Sequence, residues 1–197
     1  MNSIDTYPDD FKKAAEFHGH VCPGLAIGYA AVKAASGLIG ASASEDEELV
    51  CIVENNSCSV DAVQVLLGCT FGKGNLIFRD WGKQVFTFYD RDSGKAVRAA
   101  LRESSPNRDK IHKLRKKIES GKAEDADKKE MQRLRNEYTQ ALISEPAKFF
   151  DVKEISMTPP EMAQIVETAP CAVCGEQTMI SRMIKHGDSM VCKGCVK

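Results

Sequence analysis

Leu49-Val50-Cys51-Ile52-Val53 is an unbroken apolar run rich in β-branched residues, preceded by a polar, acidic loop at 41–48. A short run of this kind predicts a buried strand. On its N-terminal side, residues 25–38 carry Ala26, Gly28, Ala30, Ala31, Ala34 and Ala35, which predict a helix whose small side chains let neighbouring backbones approach closely. Farther out, the acidic start at Asp9 opens a helix over 9–17 with Phe11, Ala14, Ala15 and Phe17 on its buried side. On the C-terminal side, residues 57–67 return to helix. Residues 76–78, 84–89 and 95–101 read as strands separated by turns at Trp81-Gly82 and Asp92-Ser93-Gly94, in a meander-style antiparallel arrangement. The fold class is therefore α+β, a largely antiparallel sheet packed with helices.

From 106 to 145 the composition shifts. Ile111, Leu114 and Ile118, then Met131, Leu134, Tyr138 and Leu142, recur at steps of three and four within charged surroundings, predicting an amphipathic helical pair joined near Gly121. Eleven Lys and Arg lie between Asn107 and Glu137 against seven Asp and Glu. A solvated face opposite an apolar stripe accounts for this, with a partner-binding or dimerising hairpin as the alternative. A further strand at 149–155 completes a core over 1–155. Thr158-Pro159-Pro160 punctuates a linker over 156–170, and a small cysteine-rich domain fills 171–197.

Hydrophobic residues make up 43% of the 197 and the formal net charge is −1, so no overall charge draws the chain to nucleic acid or an acidic membrane. The first ten residues have no basic start or apolar stretch, and no long apolar run follows, which points to a cytoplasmic protein with no membrane association. In that compartment the eight cysteines are better suited to reduced thiols and metal than to a disulfide framework.

Cys171-x-x-Cys174-Gly175, then Cys192-x-x-Cys195, has the spacing of a structural four-cysteine zinc site. A redox dithiol is the rival reading. A core this small depends on its metal to fold, and four thiolates leave no open position for a substrate. The segment resembles the treble-clef class of zinc fingers, with little chain left for the usual terminal helix. Four Lys and Arg against two acids, without aromatics, disfavour nucleic acid as its partner.

A second constellation is His18-x-His20-x-Cys22-Pro23-Gly24, holding two of the four histidines. In extended backbone, positions i, i+2 and i+4 place His18, His20 and Cys22 on one side, and a helix starting at Pro23 would favour the Cys22 thiolate. A solvated turn is the bland alternative. A third is Cys58-x-x-Asp61-x-x-Gln64, with thiol, carboxylate and amide on one broad helical face. Each has an ordinary structural use taken alone. Gly68-Cys69-Thr70-x-Gly72-Lys73-Gly74-Asn75 is a glycine-rich turn in which Lys73 is a weak anion-site candidate; the spacing is not that of a P-loop. Cys51 reads as packing.

Taken together, Phe17-His18-Gly19-His20-x-Cys22-Pro23-Gly24, the Cys58/Asp61/Gln64 triplet and the turn at 68–75 resemble the FmdE family of formylmethanofuran dehydrogenase proteins. The resemblance runs over about 9–101 and through the cysteine-rich tail. It implies an α+β core with an auxiliary treble-clef finger, and association with the molybdenum or tungsten enzyme that fixes carbon dioxide as a formyl group on methanofuran. It also implies a cleft lined by His18, His20, Cys22, Cys58, Asp61, Gln64 and Cys69, able to hold a metal.

No dinucleotide fingerprint and no iron–sulfur cysteine run is present, which favours an accessory or metal-handling role over the redox step itself. Candidate ligands for a second zinc or other transition metal are His18, His20, Cys22, Cys58 and Cys69, and the catalytic candidates are Cys22, Cys58, Asp61 and Gln64. Two alternatives remain open. One is a scaffold whose finger binds a protein; the other is an independent metal-dependent hydrolase or transferase with Asp61 as base. Packing of the small-residue helix and of the helical pair points to a homodimer, and the components of a molybdenum or tungsten enzyme are the other candidate partners.

Overall fold

Strand β1 (Leu49–Val53) forms from the apolar run and is buried at all five positions. The structure, a computed structural model, describes residues 6–40, 43–102 and 107–196. The starts of the expected loop at 41–48 and of the helical pair at 106–145, and the final residue of the finger, lie outside the described residues, as do residues 1–5. The chain divides into two units, Met1–Met162 and Ala163–Lys197.

In the first unit β1 is joined by β2 (Leu76–Phe78), β3 (Val85–Asp90), β4 (Ala96–Leu101) and β5 (Phe150–Ile155) in the order β2-β1-β3-β4-β5. The β1/β3, β3/β4 and β4/β5 pairs are antiparallel. The expected meander fails at β2, which lies parallel to β1 with Cys51 opposite Leu76. The cause is in the residues. An all-apolar β1 needs a neighbour on each side, and three-residue β2, with Phe78 exposed, is suited to the sheet edge. Helix α3 (Ser59–Leu67) makes the crossover between them.

Helices α1 (Asp9–His18) and α2 (Pro23–Ile39) pack with α3, and α2 reaches across to β4 and β5. Leu25, Ala26, Ala30, Leu49, Val53, Phe86, Phe88 and Val97 form the main core. Close approach explains the small residues of α2: a Cβ on Gly28 would lie 1.9 Å from the Ser59 carbonyl oxygen. Most of those small side chains are buried within the unit itself. Phe17, expected on the buried side of α1, is exposed. Helical phase decides this, because Phe11, Ala14 and Ala15 continue at i+7 to His18 rather than to Phe17.

The amphipathic stretch becomes α4 (Arg108–Glu119) and α5 (Asp125–Ser144), followed by a single turn, α6 (Pro146–Phe149), ahead of β5. Ile111, Leu114, Met131 and Leu134 seal the two long helices together, while Tyr138 and Leu142 join the main core. Glu124 and Asp127 cap α5 reciprocally.

The second unit holds two small hairpins. Strand β6 (Thr168–Pro170) pairs with β7 (Gln177–Met179), so residues read as linker supply a strand beside the first cysteine pair. Strand β8 (Ile184–His186) pairs with β9 (Ser189–Val191) around Gly187, and a 3₁₀ turn (Lys193–Cys195) follows. Thr178 and Met179 therefore pair with β6.

Candidate metal centre

His18 is the last residue of α1, Cys22 immediately precedes α2, and Cys58 immediately precedes α3. Three helix ends thus converge. The His18 ring and the Cys22 and Cys58 sulfurs each offer a ligand atom, all within 4.8 Å of one another. Gly19 makes the turn possible: it ends α1 in left-handed backbone at φ 86°, its N–H bonded to the Ala15 and Glu16 carbonyls. Cys22 is extended and Pro23 starts α2, so the chain turns within a few residues from one helix to the next. Gly24 allows the close fit, since a Cβ there would come 3.0 Å from the Cys58 Cβ.

His18 is oriented from behind. Its Nδ1 lies 2.7 Å from Asp61 Oδ2, leaving Nε2 turned to the thiols, 3.8 Å from Cys22 Sγ. Gln64 Nε2 donates to the other Asp61 oxygen at 3.4 Å. A carboxylate behind an imidazole, with thiols in front, is the arrangement that fixes the tautomer of a metal-ligating histidine. The residues present therefore fit a metal ion, through one nitrogen and two sulfurs.

The Cys22 thiol corrects one expectation. The Leu25 N–H at the start of α2 does donate to its sulfur at 3.3 Å. Burial, reinforced by the adjacent Cys58 thiol, nevertheless pushes the group above the ordinary cysteine value. Its thiolate form thus calls for a cation.

Three sequence candidates stand apart. His20 stacks near the His18 ring, centroids 4.5 Å apart, but does not join the ligand group, because His18 is helical and Gly19 left-handed, so the extended alternation does not apply. Cys69 is fully buried and donates to the Leu49 carbonyl, and burial lifts its thiol to about 12. It packs near Cys51 in the core. Lys73 Nζ donates to the Ser44 and Glu45 carbonyls at 3.1 and 3.2 Å, so it pins a loop rather than waiting for an anion. Buried Asn75 braces the same turn by donating to Asp46 and Leu49 carbonyls.

In the second unit Cys171, Cys174, Cys192 and Cys195 also bring their sulfurs within 4.8 Å of one another. Backbone N–H groups of Cys174, Cys192 and Val173 lower the Cys171 thiol to about 6. Cys195, sharing hydrogen bonds with the Cys192 and Cys174 thiols, is pushed up to about 12. Both cysteine clusters have the donor set and spacing to hold a metal ion.

The first cluster borders a cavity of about 760 Å³. Cys22 and Cys58 lie on its wall together with Arg108, Arg115, Arg135 and Tyr138 from α4 and α5. Reasoning from the sequence assigned these helical residues no part in the site. The signal was present in the spacing, because Arg108, His112 and Arg115 at i, i+4 and i+7 share one helical face. Among the described residues no helix is long and apolar enough to cross a membrane.

Comparison with known proteins identifies the family and the fold. The FmdE family model, described as that of the molybdenum formylmethanofuran dehydrogenase operon, matches residues 17–151. An Archaeoglobus fulgidus protein named as a probable S-adenosyl-L-methionine-binding protein is 33% identical over 190 residues, covering 92% of this chain and 52% of that protein. The chain thus spans about half the length of that relative. A crystal structure of a tungsten formylmethanofuran dehydrogenase FmdE-like protein from Syntrophus aciditrophicus superposes with a TM-score of 0.61. The match covers 98% of this chain and 94% of that one at 24% identity, a likeness that bears on the fold alone. With the family match running from the last turn of α1 through the start of β5, and containing His18, Cys22 and Cys58, the chain belongs to the FmdE family.

Proposed function

We propose that this chain is a metal-binding accessory or metal-handling partner of a molybdenum or tungsten formylmethanofuran-dehydrogenase-type one-carbon system, with His18, Cys22 and Cys58 as its working centre. The observation that carries the reading is the convergence of these three donors, with His18 held by Asp61, at the edge of a cavity. Family membership supports the assignment to one-carbon chemistry. The ion in the working centre is zinc or another transition metal suited to one imidazole and two thiolates. The four-cysteine site holds a structural zinc, and the succession of cysteine turn, hairpin and short terminal turn supports a treble-clef type of finger.

A second reading is favoured by the same geometry. Three protein ligands leave a coordination position open for a substrate or water, the arrangement of a metal-dependent hydrolase or transferase. In such a reaction a bound metal would supply Lewis acidity, while Asp61, hydrogen-bonded to His18 Nδ1, would hold the imidazole in the ligating tautomer rather than act as the base expected from the sequence.

Elemental analysis of protein purified without added metal tests the proposal. Two equivalents per chain are expected, falling to one in His18→Ala and Cys22→Ser through loss at the core, and to one in Cys174→Ser through loss at the finger. One equivalent in the wild type, unchanged by His18→Ala and Cys22→Ser, would overturn the core centre. Loss of formylmethanofuran dehydrogenase activity in cells lacking the chain would then separate the accessory role from an independent enzyme, whose deletion leaves that activity intact.

A further inference from the structure

The cations of the helical pair are only partly matched by its acids. Away from the cavity Lys117 pairs with Asp127 at 3.0 Å, Lys110 with Glu130, Lys128 with Asp125, and Arg133 with both Glu130 and Glu137, while Lys113, Lys116, Lys122 and Lys129 have no ion-pair partner among the described residues. At the cavity three guanidinium groups gather on one wall. Arg108, Arg115 and Arg135 are without an ion-pair partner among the described residues. Asp109 is the one carboxylate on the cavity wall among the described residues, leaving a net positive lining.

A second observation is independent of charge. Tyr138, also on the cavity wall, is 7% exposed, and its buried hydroxyl has no hydrogen-bond partner among the described residues. A buried hydroxyl without a partner is costly, so a small shift of the wall that lets a bound molecule reach it would be favourable. The volume of about 760 Å³ lies within the range of small-molecule sites.

The geometry points to an oxyanion site: the cavity takes a small organic anion whose carboxylate or phosphate is held by Arg108, Arg115 and Arg135 on α4 and α5, its other end facing Cys22 and Cys58. Guanidinium groups suit this work because their paired N–H donors match the spacing of carboxylate and phosphate oxygens. The inference rests on reading the His18, Cys22 and Cys58 cluster as the working centre, and it names the class of molecule brought there. The charged hairpin thereby acquires a role as the binding wall of the site.

Titration of the full-length protein with inorganic phosphate, and in parallel with succinate, followed by calorimetry, tests it. Saturable binding is expected, weakened by salt, and the tighter of the two probes identifies the anionic group. Arg115→Gln and Arg135→Gln should each weaken it about tenfold, the loss of one charge-assisted contact. Arg133→Gln, on the outer face of the same helix, should leave it unchanged. No saturable binding of either probe, or equal affinity in wild type and Arg135→Gln, would overturn the anion site. Metal content is measured on the same samples. Absent core metal with arginine-dependent phosphate binding intact overturns the metal reading alone, whereas intact metal with no anion binding overturns the anion site alone.

Discussion

The two cysteine clusters hold their ligands in opposite ways. His18, Cys22 and Cys58 sit at the ends of three helices that are anchored by Phe11, Leu25, Ala26, Ala62 and Val63 in a large apolar core. The four C-terminal cysteines stand beside three-residue strands, and Cys171 and Val191 are the buried hydrophobic positions among the described residues of that unit. In the first unit the fold positions the ligands; in the second the ligands must position the fold. A three-donor centre built on a stable scaffold can leave a coordination site open for chemistry, while a four-donor centre holding a fragment together cannot.

Removing metal gives the largest contrast. Cys174→Ser should unfold the second unit and open residues 171–196 to trypsin while the melting of the first unit is unchanged; chelation should unfold the second unit in the same way, leaving the first unit folded with its melting lowered only by loss of the core metal. A protected tail after complete metal removal would break the comparison. Next, Gly28→Ala should destabilise the first unit by about 3 kcal/mol in urea denaturation, because its Cβ would meet the Ser59 carbonyl oxygen at 1.9 Å and backbone cannot yield cheaply. The control is Gly37→Ala in the same helix, where no atom lies within 4 Å of the added Cβ. That change should stabilise by about 0.5–1 kcal/mol.

Asp61→Asn keeps the shape of the carboxylate but not its charge. Core metal affinity, measured by competition with a chromophoric chelator, should fall about 10–100-fold without loss of fold. Unchanged affinity would reduce Asp61 to a packing residue. The smallest effect concerns Asp10. Burial opposes its ionisation, but the Lys33 ammonium, the Tyr29 hydroxyl and the Phe11 N–H outweigh burial and hold the carboxyl below 3.8. A depressed folded value means the stabilisation is present above 3.8 and is lost as pH falls through that lower value. Asp10→Asn should therefore be less stable than wild type at neutral pH, with the difference vanishing in acid denaturation below that range.

Much of this was legible in the residues. The apolar run at 49–53 became a fully buried strand, the Ala- and Gly-rich segment became the closely packed α2, and two Cys-x-x-Cys pairs became the converging thiols of the tail. Local signals fail where tertiary contacts decide. His20 lies two residues from both His18 and Cys22, yet the left-handed turn at Gly19 keeps it out of the ligand group. Cys69 and Lys73 carry reactive groups in a glycine-rich turn, yet the Leu49, Ser44 and Glu45 carbonyls occupy them. The parallel β2 depends on which strand β1 needs at its edge, a relation no window of sequence contains; the 108/112/115 spacing shows a shared helical face, but not the cavity that this face and Arg135 come to line.

The most direct test of the core centre removes the finger from view. The full-length Cys174→Ser/Cys192→Ser double variant, loaded with cobalt(II) and measured by X-ray absorption, should bind one equivalent with two sulfurs and the His18 nitrogen in the first coordination sphere. No bound cobalt, or a first sphere without sulfur, would contradict a metal centre at His18, Cys22 and Cys58.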